Sequence, residues 1–199
     1  MVLDVVLVVV IGYLLGNIAT SYFLGKIFEN KDIRNYGSGN AGATNALRVF
    51  GVKIAATTFI CDALKGVLAV LIGRWILGDN GELIAGLFVI IGHNWPIFLK
   101  FKGGKGIAST IGVMLTVNYI VALITILIGL IIVIKTKYVS LGSVTAMALL
   151  PIIGVLVVRP FELKLFLFTL VLSIMAIYRH KSNIKRLLNG TENKIGQKA

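Results

Sequence analysis

Long apolar stretches follow one another along nearly the whole chain, at residues 3–27, 52–77, 82–99, 106–117, 119–134, 139–158 and 162–178, and they decide what it can fold into. Runs so rich in Val, Ile and Leu leave no polar face for water, so lipid is their solvent. In lipid every backbone N–H and C=O needs an internal partner, which only helices and closed barrels provide. A barrel would show period-two alternation, and these continuous runs show none. The reading is an all-α integral membrane protein, in keeping with 57% hydrophobic and only 14% charged residues.

Charge sets the number of crossings and their direction. Residues 106–134 read either as one tilted helix or as two, broken near Thr116-Val-Asn118. With about seven transmembrane helices and the N-terminus outside, the inner side collects Lys26, Lys31, Arg34, Arg48 and Lys53, then Lys100, Lys102 and Lys105, then Lys135 and Lys137. The C-terminal tail adds Arg179, Lys181, Lys185, Arg186, Lys194 and Lys198. Six crossings would put the Lys135/Lys137 pair and that tail outside, against the positive-inside rule, so seven are expected, with a cytoplasmic C-terminus. The same asymmetry accounts for the net charge of +12 with no nucleic-acid partner. The fourth and fifth segments fall short of the ~20 residues a bilayer needs, so tilting, re-entry or shielding by neighbours is expected. The first residues lack a basic region and a cleavage site, which favours a retained helix over a signal peptide. Asp79-Asn-Gly-Glu82 reads as an outer turn, and Cys61 as a small buried packing residue with no disulfide partner. No linker or repeat divides the chain, which reads as a single polytopic domain over 1–199 with its polar clusters on the cytoplasmic side.

Those clusters carry the candidate chemistry. Gly37, Ser38, Gly39, Asn40, Gly42, Thr44, Asn45 and Arg48 fall close together, and their glycines can expose consecutive N–H groups as an anion-binding nest. Gly37-Ser-Gly-Asn-Ala-Gly42 matches G-x-G-x-x-G literally, but it lies between two membrane spans instead of in a βαβ unit, which excludes a dinucleotide fold. Lys102-Gly-Gly-Lys-Gly106 opens the fourth segment, where backbone N–H groups, a helix dipole and Lys105 would face an anion. A positive-inside anchor at a tight turn is the alternative.

Asp62 and Lys65 stand at i, i+3 within a span, a pairing expected to support the polar site, with direct substrate contact by Lys65 as the other reading. His93, in Gly92-His-Asn-Trp-Pro96, either braces a kink or takes part in catalysis. His180 is the better placed base, with Asn183 one turn on along the same face. No G-x-S-x-G elbow, H-E-x-x-H zinc motif or H-x-x-x-x-D acyltransferase signature occurs. Few carboxylates are present, so a metal-dependent phosphoryl site is not expected.

The 37–48 motif, Asp62-Ala-Leu-Lys-Gly66, residues 92–106 and Arg179-His-Lys-Ser-Asn183 together resemble the bacterial acylphosphate-dependent glycerol-3-phosphate acyltransferases, the PlsY family. The resemblance implies transfer of a fatty acyl group from acyl phosphate to the 1-hydroxyl of glycerol 3-phosphate, giving lysophosphatidic acid and inorganic phosphate. It implies a bacterial inner-membrane location, no cofactor, and as a partner the enzyme that makes acyl phosphate. By the same resemblance the donor's phosphoryl group sits in the 37–42 loop, with Ser38, Asn40 and Asn45 as partners, and Arg48 and Lys105, beside Gly104, hold glycerol 3-phosphate. His180 and Asn183 position or deprotonate the hydroxyl, unless a substrate phosphate is the base. Ser143 lines the pocket and Glu192 orders neighbouring cations. A transporter for a phosphorylated solute is the competing reading from another class.

Overall fold

All the apolar runs form helix in the computed structural model, which describes residues 1–197. Lys198, counted above among the tail cations, lies outside them. By length and composition Val2–Glu29, Val52–Leu99, Tyr119–Thr136 and Val139–Val157 can each cross a bilayer, and Leu163–Arg179 with Lys181–Leu188 makes a fifth, bent by 60°. Ile107–Val117 is a shorter apolar helix. The helices group into two units, Met1–Val117 and Asn118–Gln197.

The first unit holds α1 (Val2–Gly16), α2 (Thr20–Glu29), α3 (Ala43–Phe50), α4 (Val52–Asn94) and α5 (Ile107–Val117). The first apolar run, expected unbroken, is interrupted at residues 17–19. There Asn17 Nδ2 turns back to donate to Tyr13 O at 2.7 Å, and Ala19 leaves helical geometry. In α4 two expected spans join across a kink at Leu77 and Gly78, earlier than the turn read at Asp79-Asn-Gly-Glu82, which is helical. Gly78, at φ 59° and ψ −147°, adopts a conformation that side chains disfavour. Beyond the kink the second arm folds back, so that a Cβ on Gly73 would run into Gly81 O.

Small residues set the other packings too. A Cβ on Gly16 would lie 2.8 Å from Gly92 Cα, where α1 meets the second arm, and one on Gly112 of α5 would run into Ala63 O on the first. Close backbone approach is what holds helices together where lipid supplies no hydrophobic force between them. At ~1.5 Å per residue α5 is only about 16 Å long. It does not stand alone in lipid, because α4 shields it and Ser109, Thr110, Gly112, Val113 and Met114 are buried. Cys61, expected in the interior, is exposed on α4.

The second unit comprises α6 (Tyr119–Thr136), α7 (Val139–Val157), α8 (Leu163–Arg179) and α9 (Lys181–Leu188). Asn118 starts α6 by accepting the Val121 N–H at 3.0 Å, which makes Thr116-Val-Asn118 the break between two helices. Helices α6 and α7 approach at Gly142, whose Cβ would lie 2.6 Å from Gly129 O. Leu127, Leu130, Ile134 and Leu156 remain exposed, as a lipid-facing surface requires. After α9 the tail returns, and Ile195 N–H donates to Lys137 O at 2.8 Å.

Candidate active site

In the first unit the polar loop before α3 is built by its own side chains. Asp32 accepts the Arg34 N–H at 3.0 Å and pairs with the Arg34 guanidinium at 2.7 Å. Those bonds hold the Asp32 carboxyl below the usual range although partial burial pushes it up. Arg34 also donates to Leu99 O at 2.9 Å and stacks over the Tyr22 ring at 5.1 Å, tying this loop to the turn that leads into residues 102–106.

Gly37 and Gly39 have φ of 58° and 69°, so the backbone curls as the nest expectation requires. Buried Asn45 pins the curl: its Oδ1 accepts the Ser38 N–H at 2.9 Å, and its Nδ2 donates to Tyr36 O at 3.0 Å and Ile33 O at 3.3 Å. Both amide protons of Asn45 therefore shape the loop. Ser38 is exposed, and Gly42 caps α3. Thr44 and Arg48 are half-buried, one turn apart on α3. Asn40 Oδ1 is buried with no hydrogen-bond partner among the described residues.

The other polar motifs of this unit meet at one buried ammonium. Lys65 Nζ lies 2.7 Å from Asp62 Oδ1, 2.8 Å from Ile18 O, 3.3 Å from Gly16 O and 2.8 Å from His93 Nδ1. Thr20 Oγ1 adds a hydrogen bond to Asp62 at 3.2 Å. Lys65 thus satisfies carbonyls freed by the break between α1 and α2, which otherwise would be orphaned in a buried place. Because an ammonium can only donate, His93 Nδ1 accepts and the ring proton sits on Nε2. The Gly104 N–H donates to His93 O at 3.1 Å, and half-buried Lys105 follows at once.

In the second unit, His180 ends α8 and begins α9. Its Nδ1 is 2.7 Å from Ala176 O. A carbonyl can only accept, so Nδ1 carries a proton, and in the neutral ring Nε2 is the basic nitrogen. Asn183 Nδ2 donates to Glu192 Oε1 at 2.7 Å, Ser140 Oγ donates to the same oxygen at 2.8 Å, and Arg186 Nε donates to Oε2 at 2.7 Å. Glu192 therefore anchors the returning tail and fixes the Asn183 amide. Ser143 turns its hydroxyl to Val139 O at 2.9 Å, whereas Ser140, one turn earlier, makes the cluster contact. Sequence reading passed over Ser140, and also Arg34 as more than a surface cation. A serine one turn from another on a helix beside a polar tail was the available signal for the first.

Burial opposes ionisation of Glu192, but its bonds from Asn183, Ser140 and Arg186 and the Arg186 charge win and hold its carboxyl below the ordinary value. A depressed carboxyl stabilises the docked tail above the ordinary Glu pKa of about 4.3 and loses that contribution as pH falls through the folded value. Protection of the tail from limited proteolysis should accordingly hold from neutral pH to near the ordinary value and fade below it, and Glu192→Gln should remove this acid limb.

Among the described residues no group of three His, Cys, Asp or Glu side chains comes together to hold a metal ion. Fold and side chains define a polytopic membrane protein with curled, glycine-rich polar loops. The family model described as glycerol-3-phosphate acyltransferase matches residues 6–190. A glycerol-3-phosphate acyltransferase of Thermoanaerobacter sp. (strain X514) is 52% identical over 97% of this chain and 96% of its own. One of Clostridioides difficile (strain 630) is 48% identical over 97% and 96%. The crystal structure of the integral membrane enzyme PlsY (YgiH) in its glycerol 3-phosphate form superposes with a TM-score of 0.89 at 38% identity, covering 96% of each chain. Its lysophosphatidic acid form gives 0.86 at 36%, covering 96% of this chain and 95% of that one. The chain belongs to the glycerol-3-phosphate acyltransferase family. The all-α membrane fold read from the apolar runs, and the glycerol-3-phosphate acyltransferase activity and multi-pass membrane location implied by the resemblance, are borne out.

Proposed function

We propose that the donor is an acyl phosphate and that the 1-hydroxyl of sn-glycerol 3-phosphate attacks its carbonyl carbon. The new ester C–O bond forms as the acyl–phosphate C–O bond breaks, the hydroxyl proton passes to a base, and inorganic phosphate leaves with the bonding electrons. A mixed anhydride is already activated, so no covalent enzyme intermediate is needed. The protein's task is to hold two anions together, orient the hydroxyl and screen the repulsion.

The observation that carries this reading is the His180 tautomer, which leaves Nε2 able to accept the hydroxyl proton. Asn183, locked by Glu192, orients the acceptor beside it. Ser38, Gly37, Gly39, Asn40 and Gly42 take the donor's phosphoryl group, with Asn45 shaping the loop; the curl at Gly37 and Gly39 supports a polar ligand there. Arg48 and Lys105, with Thr44 and Gly104 beside them, bind the phosphate of glycerol 3-phosphate. The basic loops favour seven crossings with an outside N-terminus and a cytoplasmic C-terminus, both units serving one membrane-embedded enzyme. The acyl chain then enters from lipid, supplied by an acyl-phosphate-forming enzyme, and the polar acceptor from the cytosol.

Purified protein in lipid nanodiscs should release phosphate and lysophosphatidic acid in equal amounts from acyl phosphate and glycerol 3-phosphate. Equal use of acyl-coenzyme A or acyl-carrier protein would overturn the donor assignment. Arg48→Ala and Lys105→Ala should each raise KM for glycerol 3-phosphate about 10- to 100-fold, the value of a charge-assisted hydrogen bond, with a smaller effect on the donor's KM.

A further inference from the structure

Reactant binding leaves one buried histidine with no chemical part. His93 is only 5% exposed and fixed on both edges. On one edge Lys65 donates to Nδ1 at 2.8 Å, and Lys65 is itself held by Asp62 and the Ile18 carbonyl. On the other, the 102–106 loop lies against the ring: a Cβ on Gly104 would run into Nε2 and approach Cε1 within 2.8 Å and Cδ2 within 3.0 Å. Backbone contacts repeat this closeness. Gly104 N–H donates to His93 O, a Cβ on Gly103 would run into the same oxygen, and one on Gly106 would lie 2.9 Å from Asn94 Oδ1.

We propose that His93 is a positioning residue for the acyl transfer: it is the platform that sets the 102–106 loop, and through it the place where the Lys105 ammonium meets the phosphate of glycerol 3-phosphate. The proposal rests on the reading of Lys105 given above. A flat ring suits the duty. Its Nδ1 joins the ammonium network, which is anchored in three helices, while its thin edge lets a glycine backbone come within contact distance. An aliphatic side chain would fill the space but leave the ammonium without that acceptor. The ring acts through Lys105 and touches no reacting atom.

The test is a double-mutant cycle in nanodiscs, read in steady-state acyl transfer with glycerol 3-phosphate varied. In His93→Asn the amide oxygen can accept from Lys65, but the side chain is too short to reach Gly104. KM for glycerol 3-phosphate should rise about tenfold, the scale of a slightly misplaced binding group, with kcat little changed. Gly104→Ala forces a methyl into the ring and should raise the same KM further. His93→Asn/Gly104→Ala should be less impaired than Gly104→Ala alone, because the methyl enters the space the ring has left. An unchanged KM in His93→Asn, a fall confined to kcat, or additive effects in the double variant would each overturn the proposal. Should His93→Asn not fold, Gly104→Ala decides alone: KM rises at steady kcat, or the proposal falls. Lys105→Ala separates the two readings. If it spares KM for glycerol 3-phosphate and raises that of the donor, the assignment of Lys105 fails, while the His93–Gly104 coupling is still read in the donor's KM.

Discussion

His180→Ala is expected to lower kcat by about 10²–10⁴-fold, the usual worth of a positioned general base, while KM for glycerol 3-phosphate changes far less. The side chain caps the end of α8 by donating from Nδ1 to Ala176 O, so alanine removes a hydrogen bond as well as a base. His180→Asn separates the two effects. Its amide nitrogen can occupy the Nδ1 position and keep the capping bond, yet nothing replaces Nε2. If the base is what matters, the asparagine protein is as slow as the alanine protein but unfolds at the wild-type temperature. If only the cap matters, asparagine restores turnover. Near-wild-type turnover in His180→Ala would assign deprotonation to a substrate phosphate.

The helices themselves were legible because lipid imposes a simple rule: Val, Ile and Leu runs without alternation can satisfy their backbone in no other way. The break between α5 and α6 was also legible at Asn118, since an asparagine among apolar residues competes for the backbone it caps. The break at residues 17–19 was not. Hydropathy is continuous from residue 3 to 27, and the interruption is sustained from far along the chain by Lys65, which binds the freed carbonyls. The short amphipathic helix α3 was missed for a related reason: at 8 residues it is too polar to register in a hydropathy scan and too short for a clear period.

Site residues were legible as types more than as partners. Glycine at 37 and 39 announced a curled loop, and the φ values agree, but that Asn45 would be its clasp depended on α3 starting at Ala43. Glu192 shows the same limit. Its sequence distance from Asn183 exceeds any helical spacing, and the two meet because the chain reverses at Gly190, with φ of 68°.

Lys65→Met is the second large effect, and it decides between support and substrate contact. Asp62 is 1% exposed and Lys65 4%, so methionine would leave a carboxylate buried with only the Thr20 hydroxyl and the His93 ring, 3.7 Å away, beside it. Breaking a buried pair from one side costs about 3–5 kcal/mol, because the surviving charge has neither water nor partner. The midpoint of denaturant unfolding should fall accordingly, and Asp62→Leu alone should be destabilising for the converse reason. The double variant Asp62→Leu/Lys65→Met removes both charges and should recover much of the loss, since an apolar pair can replace a buried ion pair. It should not recover all of it. The Ile18 and Gly16 carbonyls and His93 Nδ1 would still lack their donor, and each unsatisfied buried acceptor costs about 1–3 kcal/mol. A Lys65→Met protein with wild-type stability and a raised KM would place this ammonium on the substrate instead. Strong non-additivity in stability places it where the distances do, at the junction of α1, α2 and the two arms of α4.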